Sequence, residues 1–253
     1  MALNWFNLEG KVALVTGSGT GIGAAIAKGL AASGADVACH DLKDFARGTS
    51  EEIRAMGRRS IPLSADLSKR PEQEGLVAAA MKEFGRIDIL VNNAGMIRRA
   101  PAVDYSDEDW DLLLEVNLSA PFRLSRRVGK LMLEQGGGRI VNIASLLAFQ
   151  GGILVPAYAA SKGGVAQFTK ALANEWAARN IHVNALAPGY FDTEMCAAII
   201  NDPVREPKIR DRIPAGRWGR AEDLVGPLLF LASDASNYVD GHVLVVDGGW
   251  LAR

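Results

Sequence analysis

The chain has few of the residues that bind metals or form disulfide frameworks. Its 253 residues include two cysteines, Cys39 and Cys196, and three histidines that are far apart in sequence. Neither cysteine has the spacing of a metal ligand, and two thiols do not define a disulfide framework. We therefore expect no metal site, and the low cysteine content suits the reducing cytoplasm.

Long apolar runs and an excess of one charge are also missing. No apolar run approaches the ~20 residues that span a bilayer, and the opening residues MALNWFNLEGK lack the pattern of a signal segment. A formal net charge of −1 and a pI of about 6.3 provide no field that attracts nucleic acid or an anionic membrane. We expect a cytoplasmic protein with neither of these partners, and we interpret Arg123, Arg126 and Arg127 as a solvated helix face.

What the chain does contain is an alternation of strand and helix patterns. Hydrophobic residues make up 49% of it, enough for one domain over 1–253 with a sizeable core. No linker or repeat divides it, and residues 189–215 are predicted to form a lid-like segment. The alternation predicts an α/β fold: a single-domain, Rossmann-like, doubly wound parallel sheet of seven strands with helices on both faces.

Apolar periodicity gives approximate bounds for these elements. Strands are expected at 11–16, 35–40, 60–63, 88–91, 139–144, 181–188 and 242–249. Helices are expected after the first strand and at 50–58, 70–84, 106–136, 156–180 and 221–233. The helix over 106–136 is predicted to be continuous and to contain Asn117.

A glycine-rich turn between the first strand and the next helix is typical of a dinucleotide site. It runs Gly17-Ser-Gly-Thr-Gly-Ile-Gly23, so its spacing is G-x-x-x-G-x-G and not the strict G-x-G-x-x-G. Glycines let the backbone approach a pyrophosphate, and the helix N-terminus directs amides and a positive dipole end toward it. A merely flexible turn is the alternative, and the strand–turn–helix context disfavours it.

A carboxylate at the end of the second predicted strand bears on the choice of cofactor. Asp41 follows Gly23 by 18 residues (41 − 23), close to the ~20 expected for the acid that binds the adenosine ribose. Such a carboxylate accepts hydrogen bonds from the ribose diol and repels a 2′-phosphate. No arginine lies in the glycine turn, and Lys43 is the one nearby cation. The pattern favours NAD over NADP, with a plain turn residue as the alternative for Asp41.

Three polar residues further along could act on one oxygen atom. Tyr158 and Lys162 have the i,i+4 spacing that places two side chains on one helix face. A neighbouring ammonium favours the phenolate, so we expect Lys162 to lower the pKa of Tyr158. Ser145 ends the fifth predicted strand, and the carboxyl ends of such strands form the mouth where α/β sheets bind ligands. Each residue alone has a plain structural explanation, whereas the three together indicate acid–base chemistry.

These motifs, taken in chain order, resemble those of the short-chain dehydrogenase/reductase family. The matching positions are Thr16–Gly23, Asp41, Asp66-Leu67, Asn92–Gly95, Asn117, Ser145, Tyr158, Lys162, Pro188-Gly189, Thr193 and Asp247–Gly249. The resemblance implies that the catalytic residues are Asn117, Ser145, Tyr158 and Lys162. It implies cofactor contacts from Gly17, Thr20, Gly21, Ile22, Gly23, Asp41, Asp66, Leu67, Asn93, Gly95, Tyr158, Lys162 and Thr193.

The same resemblance assigns roles to some of these residues. Lys162 is expected to hydrogen-bond the nicotinamide ribose, and Thr193 to orient the carboxamide. Asn117 is expected to hold a water molecule that links Lys162 to solvent, although alone it would be an ordinary interior asparagine. The family also implies a homotetramer, with the helices around Asn117 and after Tyr158 at one interface and the C-terminal segment at another.

Five further segments are similar to a branch of the family that acts on sugar acids. They are Met96–Ala100, Ser145–Gly152, Ala173–Ala177, Ile213–Gly219 and Val246–Arg253. The branch implies reversible hydride transfer between NAD and a secondary alcohol or ketone of a small sugar acid. A carboxylate favours arginine for bidentate recognition, so the substrate candidates are Arg98, Arg99 and Arg217, with Gln150 for a hydroxyl.

Two other functions fit parts of the pattern. A β-ketoacyl or steroid reductase of the same family would often use NADPH or a more apolar pocket, against which Asp41 and the arginines argue. A dinucleotide-sensing protein without catalysis would be free to lose Tyr158 or Lys162, yet both are present with Ser145.

Overall fold

A seven-stranded sheet forms the centre of the computed structural model, which describes residues 4–253. The strands are β1 (Val12–Thr16), β2 (Asp36–Asp41), β3 (Ser60–Ser64), β4 (Ile89–Asn92), β5 (Gly138–Ile143), β6 (Ile181–Pro188) and β7 (Val243–Val246). Their spatial order is β3-β2-β1-β4-β5-β6-β7, and every neighbouring pair is parallel. The order reverses between β1 and β4, where open α/β sheets form their ligand crevice.

Helices cover both faces of this sheet. They are α1 (Gly21–Ala32), α2 (Ala46–Ala55), α3 (Arg70–Phe84), α4 (Asp107–Leu114), α5 (Ala120–Gln135), α6 (Pro156–Trp176), α7 (Ala197–Ile200), α8 (Arg205–Arg210) and α9 (Val225–Ala232). One core cluster joins α1, α2 and α9 to the sheet, and a second joins α3, α5 and α6 to it. The doubly wound, Rossmann-like fold is therefore confirmed.

The central strands are apolar because both of their faces are covered. All five residues of β1 and all eight residues of β6 are buried. Parallel strands covered on both sides are near-continuous apolar runs and not alternating ones. This is why short apolar runs located them in the sequence.

A buried polar network ties the middle of the sheet to α6. Asn92 Nδ2 donates to Asn142 Oδ1 at 2.8 Å, across the β4–β5 pair. Asn142 Nδ2 donates in turn to Thr169 Oγ1 of α6 at 2.9 Å. Since buried polar groups need partners, this chain of hydrogen bonds sets the position of α6 relative to the strand ends.

The helix predicted over 106–136 is interrupted, which corrects the prediction of a continuous helix. A π-helical turn, Glu115–Ser119, separates α4 from α5. The turn contains Asn117, whose side chain accepts from Met96 N at 2.9 Å and donates to Met96 O at 2.8 Å. Apolar residues continue at near-helical spacing through the turn, so periodicity alone could not reveal it. Such π-bulges occur frequently at functional sites.

Other element bounds differ modestly from the predictions. The helix expected at 50–58 is α2 and begins at Ala46, and it ends before Gly57, whose φ is +83°. The segment 189–215 contains the short helices α7 and α8 instead of irregular chain alone. Among residues 4–253 no helix is long and apolar enough to cross a membrane. Residues 1–3, which belong to the predicted domain and to the opening stretch MALNWFNLEGK, lie outside the described residues.

Candidate active site

The glycine turn between β1 and α1 leaves no room for side chains. A Cβ on Gly23 would lie 1.9 Å from Gly17 O, and one on Gly17 would lie 2.8 Å from Ala94 Cα. Gly17 and Gly21 have positive φ values of 64° and 52°, which favour glycine. Thr20 precedes α1 without capping it through its side chain. The first amides of α1 are thus available to an anion such as a pyrophosphate.

Asn93 braces this turn from the end of β4. Its Nδ2 donates to Thr16 O at 3.0 Å and to Gly17 O at 2.8 Å. In return, Thr16 Oγ1 accepts from Asn93 N at 3.0 Å and from Ala94 N at 3.1 Å. Asn93 was predicted to contact the cofactor. The structure places it on the wall of the cavity described below, where its side-chain amide donates to the backbone of the glycine turn.

Asp41 lies beside the same turn, at the end of β2. Its Oδ2 accepts from Gly19 N at 2.9 Å, and its Oδ1 accepts from Leu42 N at 2.7 Å. A Cβ on Gly19 would lie 2.7 Å from the carboxylate, so Gly19 permits this approach. The side chain stays partly exposed. The predicted register of the acid with the glycines is therefore what the structure shows.

Asp66 and Leu67 follow β3 and do not line the cavity. Asp66 Oδ1 accepts from Ser68 Oγ at 2.7 Å and from Ser68 N at 2.9 Å. The hydrogen bond from the Ser68 hydroxyl is the main cause that lowers the pKa of Asp66. Leu67 is buried, and its carbonyl accepts from Gln73 Nε2 at 2.7 Å. Their cofactor contact stays a prediction.

A cavity of about 450 Å³ opens at the carboxyl ends of the strands. It brings together seven residues predicted for catalysis or cofactor binding, together with the substrate candidate Gln150: the seven are Ile22, Asn93, Gly95, Ser145, Tyr158, Lys162 and Thr193. Part of its wall comes from the segment 189–215. These positions are separated by up to 171 residues in the chain (193 − 22), and the parallel sheet makes them neighbours.

The phenol of Tyr158 faces this cavity in a desolvated setting. Burial raises the pKa of Tyr158 to about 12, while a hydrogen bond with the Ser145 side chain lowers it in part. Ser145 lies two residues after the end of β5, and its Oγ accepts from Leu147 N at 3.2 Å. Ser145 and Tyr158 thus line one cavity, where the sequence analysis expects them to act on one oxygen atom.

Lys162 does not lower the pKa of the Tyr158 phenol as expected. Its Nζ donates to Ile143 O at 2.6 Å and lies 5.5 Å from the centroid of the Tyr158 ring. Burial lowers the pKa of Lys162 to about 8. Lys162 is not among the groups that shift the pKa of Tyr158, and it loses its own proton at a lower pH than the phenol does. The predicted lowering of the Tyr158 pKa by Lys162 is wrong for the chain by itself.

Asn117 reaches the site through the π-helical turn. It is 1% exposed, and its two hydrogen bonds to Met96 hold the extended segment that follows β4. A Cβ on the intervening Gly95 would lie 3.3 Å from Asn117 Oδ1 and 3.8 Å from Lys162 Nζ. Asn117 therefore packs Gly95 against Lys162. Its role in a water relay stays a prediction.

The four substrate candidates fall into two groups. Arg99 and Gln150 line the cavity. Arg98 lies 3.5 Å from the Asp109 carboxylate instead, and Arg217 pairs with Asp223 at 2.6 Å beside a separate cavity of about 170 Å³. The structure does not bring Arg98 or Arg217 to the site, because each is drawn to a carboxylate elsewhere.

Three cations that the sequence analysis missed also line the cavity. Arg205, Lys208 and Arg212 come from α8 and the residues after it. The i, i+3 spacing of Arg205 and Lys208 puts these two on one face of α8, a signal that was available in the sequence, whereas Arg212 lies in the turn after the helix. Among residues 4–253, the cavity lining therefore contains five cationic side chains, including Arg99 and Lys162, and no carboxylate. Such a wall attracts anions.

Comparison with known proteins identifies the class of the chain. The model of a family described as enoyl-(acyl carrier protein) reductase matches residues 17–251. The chain belongs to the short-chain dehydrogenase/reductase family, a group of nicotinamide-dependent oxidoreductases. This confirms the resemblance carried by the sequence motifs.

Individual relatives are more specific. A 2-dehydro-3-deoxy-D-gluconate 5-dehydrogenase of Dickeya dadantii is 51% identical over 254 residues, with 100% of each chain covered. A structure described as an NAD(P)-dependent gluconate 5-dehydrogenase from Beutenbergia cavernae, with NADP at low occupancy, is 51% identical with a TM-score of 0.95; 98% of this chain and 99% of that one are covered. A gluconate 5-dehydrogenase from Burkholderia cenocepacia J2315, in complex with NADP and tartrate, is 38% identical with a TM-score of 0.96 over 100% of both chains.

The low pKa of Lys162 predicts a pH-dependent stability. Its pKa is about 8 when folded and 10.5 ordinarily, so the unfolded chain binds more protons between these values. Stability then rises with pH across that window. Relative to Lys162→Met, the native chain is expected to gain roughly 2 kcal/mol of unfolding free energy from about pH 7 to about pH 10. Denaturant titrations across that range measure it.

A matched variant keeps this test specific. Lys170 is an exposed lysine on the same helix, and Lys170→Met should give a difference that stays flat across the window. An equally flat difference for Lys162→Met would contradict the lowered pKa.

Proposed function

We propose that the chain is an NAD-dependent oxidoreductase acting on a secondary alcohol or ketone of a sugar acid, with 2-dehydro-3-deoxy-D-gluconate as the preferred substrate. The observation that carries this proposal is that Ser145 and Tyr158 line one cavity together with a cationic wall. The acid–base pair suits a carbonyl or hydroxyl oxygen, and the wall suits a carboxylate on the same molecule. The names of the relatives point to the same substrate class.

The residues that follow β1 are suited to hold the adenosine half of a nicotinamide dinucleotide. The glycine turn and the uncapped N-terminus of α1 would hold the pyrophosphate, and Asp41 would meet the adenosine ribose. Gly95, Lys162 and Thr193 would lie along the nicotinamide half. The bound nicotinamide supplies the hydride chemistry, and the protein supplies orientation and proton handling.

Tyr158 is the group that exchanges the proton with the substrate oxygen. With a pKa of about 12, its phenol is protonated at neutral pH and is ready to donate to an oxygen that gains charge. For oxidation of an alcohol, Tyr158 accepts the proton instead, which requires the phenolate. A proton retained on Lys162 stabilises that phenolate, so the two titrations are coupled.

Ser145 has the complementary task. Its hydroxyl donates to the substrate oxygen while charge changes there. The short turn after β5, Leu146–Ala148, gives it an extended backbone and a fixed exit from the strand. Because Ser145 and Tyr158 line the same cavity, the two hydroxyl groups would address one oxygen atom of a bound substrate.

The function is tested by initial rates with a panel of substrates. We expect selective reduction of NAD⁺ with 2-dehydro-3-deoxy-D-gluconate, less with gluconate and little with a neutral polyol. Tyr158→Phe should bind NADH with near-normal affinity and lose at least about a hundredfold in turnover. Retained turnover would remove Tyr158 from the reaction. Tight NADH binding without activity on any sugar acid would overturn the substrate assignment alone.

The choice of NAD over NADP rests on Asp41. Its carboxylate lies at the glycine turn, where it would repel a 2′-phosphate. Three solved relatives hold NADP, so the preference must be measured on this chain. Asp41→Asn keeps an oxygen acceptor for Gly19 N and removes the charge.

We therefore expect Asp41→Asn to raise the NADP⁺ to NAD⁺ ratio of kcat/KM roughly tenfold, since two charges near a protein surface interact by on the order of 1–4 kcal/mol. Asp44→Asn is the control, because Asp44 is exposed and pairs with Arg47 at 2.6 Å. An unchanged ratio for Asp41→Asn would show that Asp41 does not contact the adenosine ribose.

We further propose a homotetramer in the cytoplasm, a single domain over 1–253 and a lid at 189–215. Support for self-association comes from apolar side chains left exposed beside α4, α5 and β7: Val103, Phe122 and Tyr238. Cys39 and Cys196 are free thiols, as a reducing compartment allows. Light scattering should give a mass of four chains, and a monomer would contradict this assembly.

A further inference from the structure

Trp250 lies beneath the lid and contacts two polar residues of the cavity wall. The residue is 3% exposed. Its Nε1 donates to Gln150 Oε1 at 3.3 Å, and the Arg212 guanidinium lies 3.9 Å from the centroid of its ring. Tyr190 packs on the same indole with a centroid distance of 4.6 Å. One buried ring therefore touches both Arg212 and Gln150.

The segment after β7 is folded to hold the ring in this place. Asp247 accepts from Gly249 N and from Leu251 N, each at 2.8 Å. Gly249 has a φ of +92°, which turns the chain toward the lid. Arg253 then donates to Asp211 O at 2.8 Å and to Arg212 O at 3.2 Å. The end of the lid is thus fastened to the segment that carries Trp250.

These contacts leave donors free on both partners. Stacking uses the face of the Arg212 guanidinium, so its N–H edges are still available. Within residues 4–253, no side chain or carbonyl accepts a hydrogen bond from them. The indole N–H occupies the Gln150 oxygen, which leaves the Gln150 NH₂ group to donate. A planar fork and an amide donor therefore face one cavity.

Nearby arginines lack this combination. Arg210 pairs with Glu206 at 3.0 Å, and Arg217 pairs with Asp223. Arg99 lines the cavity but donates to Met195 O at 3.2 Å. Arg205 lines it as well, without an aromatic face beneath it. Among these five arginines, Arg212 alone both lies against a buried aromatic ring and has guanidinium N–H groups without an acceptor in residues 4–253.

We propose that Trp250 is a positioning residue that holds Arg212 and Gln150 as a two-part receptor, Arg212 for the substrate carboxylate and Gln150 for a hydroxyl beside it. This inference rests on the proposed function, because it assigns the anchor of the sugar acid. It makes the segment after β7 a determinant of substrate specificity, although Trp250 itself exchanges no proton.

Arg212→Ala is expected to raise the KM for 2-dehydro-3-deoxy-D-gluconate by about tenfold to a hundredfold, the scale of a lost charge-assisted pair. The KM for NAD⁺ should not change. Arg210→Ala removes the same charge from the same lid, and it should leave both constants near their native values. An equal effect of the two variants would reduce Arg212 to a contributor of bulk charge.

Substitutions of Trp250 separate positioning from packing. Trp250→Phe keeps a ring face for Arg212 and loses the donor to Gln150, so it should raise the KM less than Trp250→Leu does. The double variant Arg212→Ala with Trp250→Leu should be no worse in KM than the worse single variant, since both act on one interaction. A fall in kcat with every substrate and an unchanged KM would show a structural role only.

A binding experiment without turnover separates this proposal from the proposed function. The complex with NADH is titrated with tartrate and with threitol, which carries hydroxymethyl groups in place of the two carboxylates. We expect tartrate to bind the native chain more tightly than threitol, and Arg212→Ala to abolish the difference. If no sugar acid is oxidised yet this difference is lost, the anchor stands and the substrate assignment fails. If sugar acids are oxidised and Arg212→Ala keeps the difference, the anchor fails.

Discussion

The site depends on the close approach of two chain segments, the turn after β1 and the end of β4. Four hydrogen bonds of 2.8 to 3.1 Å join the two segments. The Asn93 side chain donates to the carbonyls of Thr16 and Gly17, and the Thr16 hydroxyl accepts from the amides of Asn93 and Ala94. Gly17 and Gly23 make the approach sterically possible, because a Cβ on either would meet backbone atoms at less than 3 Å. Thr16 is 1% exposed, and buried polar groups need partners, so these hydrogen bonds fix the geometry. The glycine turn and the cavity are consequently parts of one edge of the sheet.

Much of this arrangement could be predicted from the sequence. The central strands were identified because residues buried on both faces, such as those of β1 and β6, form apolar runs with few polar interruptions. Ser145, Tyr158 and Lys162 were identified because the order of strands and helices places strand ends and helix starts at one sheet edge. Asp41 was placed correctly because its distance from Gly23 is set by the length of one helix and one strand. These predictions rely on backbone geometry, which local sequence largely determines.

Features that depend on tertiary contacts were not predictable in the same way. The π-helical turn around Asn117 follows from hydrogen bonds to Met96, a residue of another segment. The order of ionisation of Lys162 and Tyr158 is set by burial, and spacing on a helix carries no information about burial. Arg98 and Arg99 are adjacent in sequence, yet one lies near Asp109 and the other lines the cavity. For such residues the partner decides the role.

The π-helical turn has a consequence for how this segment can change. It fits one extra residue between α4 and α5, so each helix keeps its own apolar face while the two faces are out of phase with each other. Loss of one residue within 115–119 would restore an ordinary helix and rotate Asn117 away from Met96. Substitutions along the helix surface leave that phase intact, whereas insertions and deletions do not. The segment is therefore constrained in length far more than in composition.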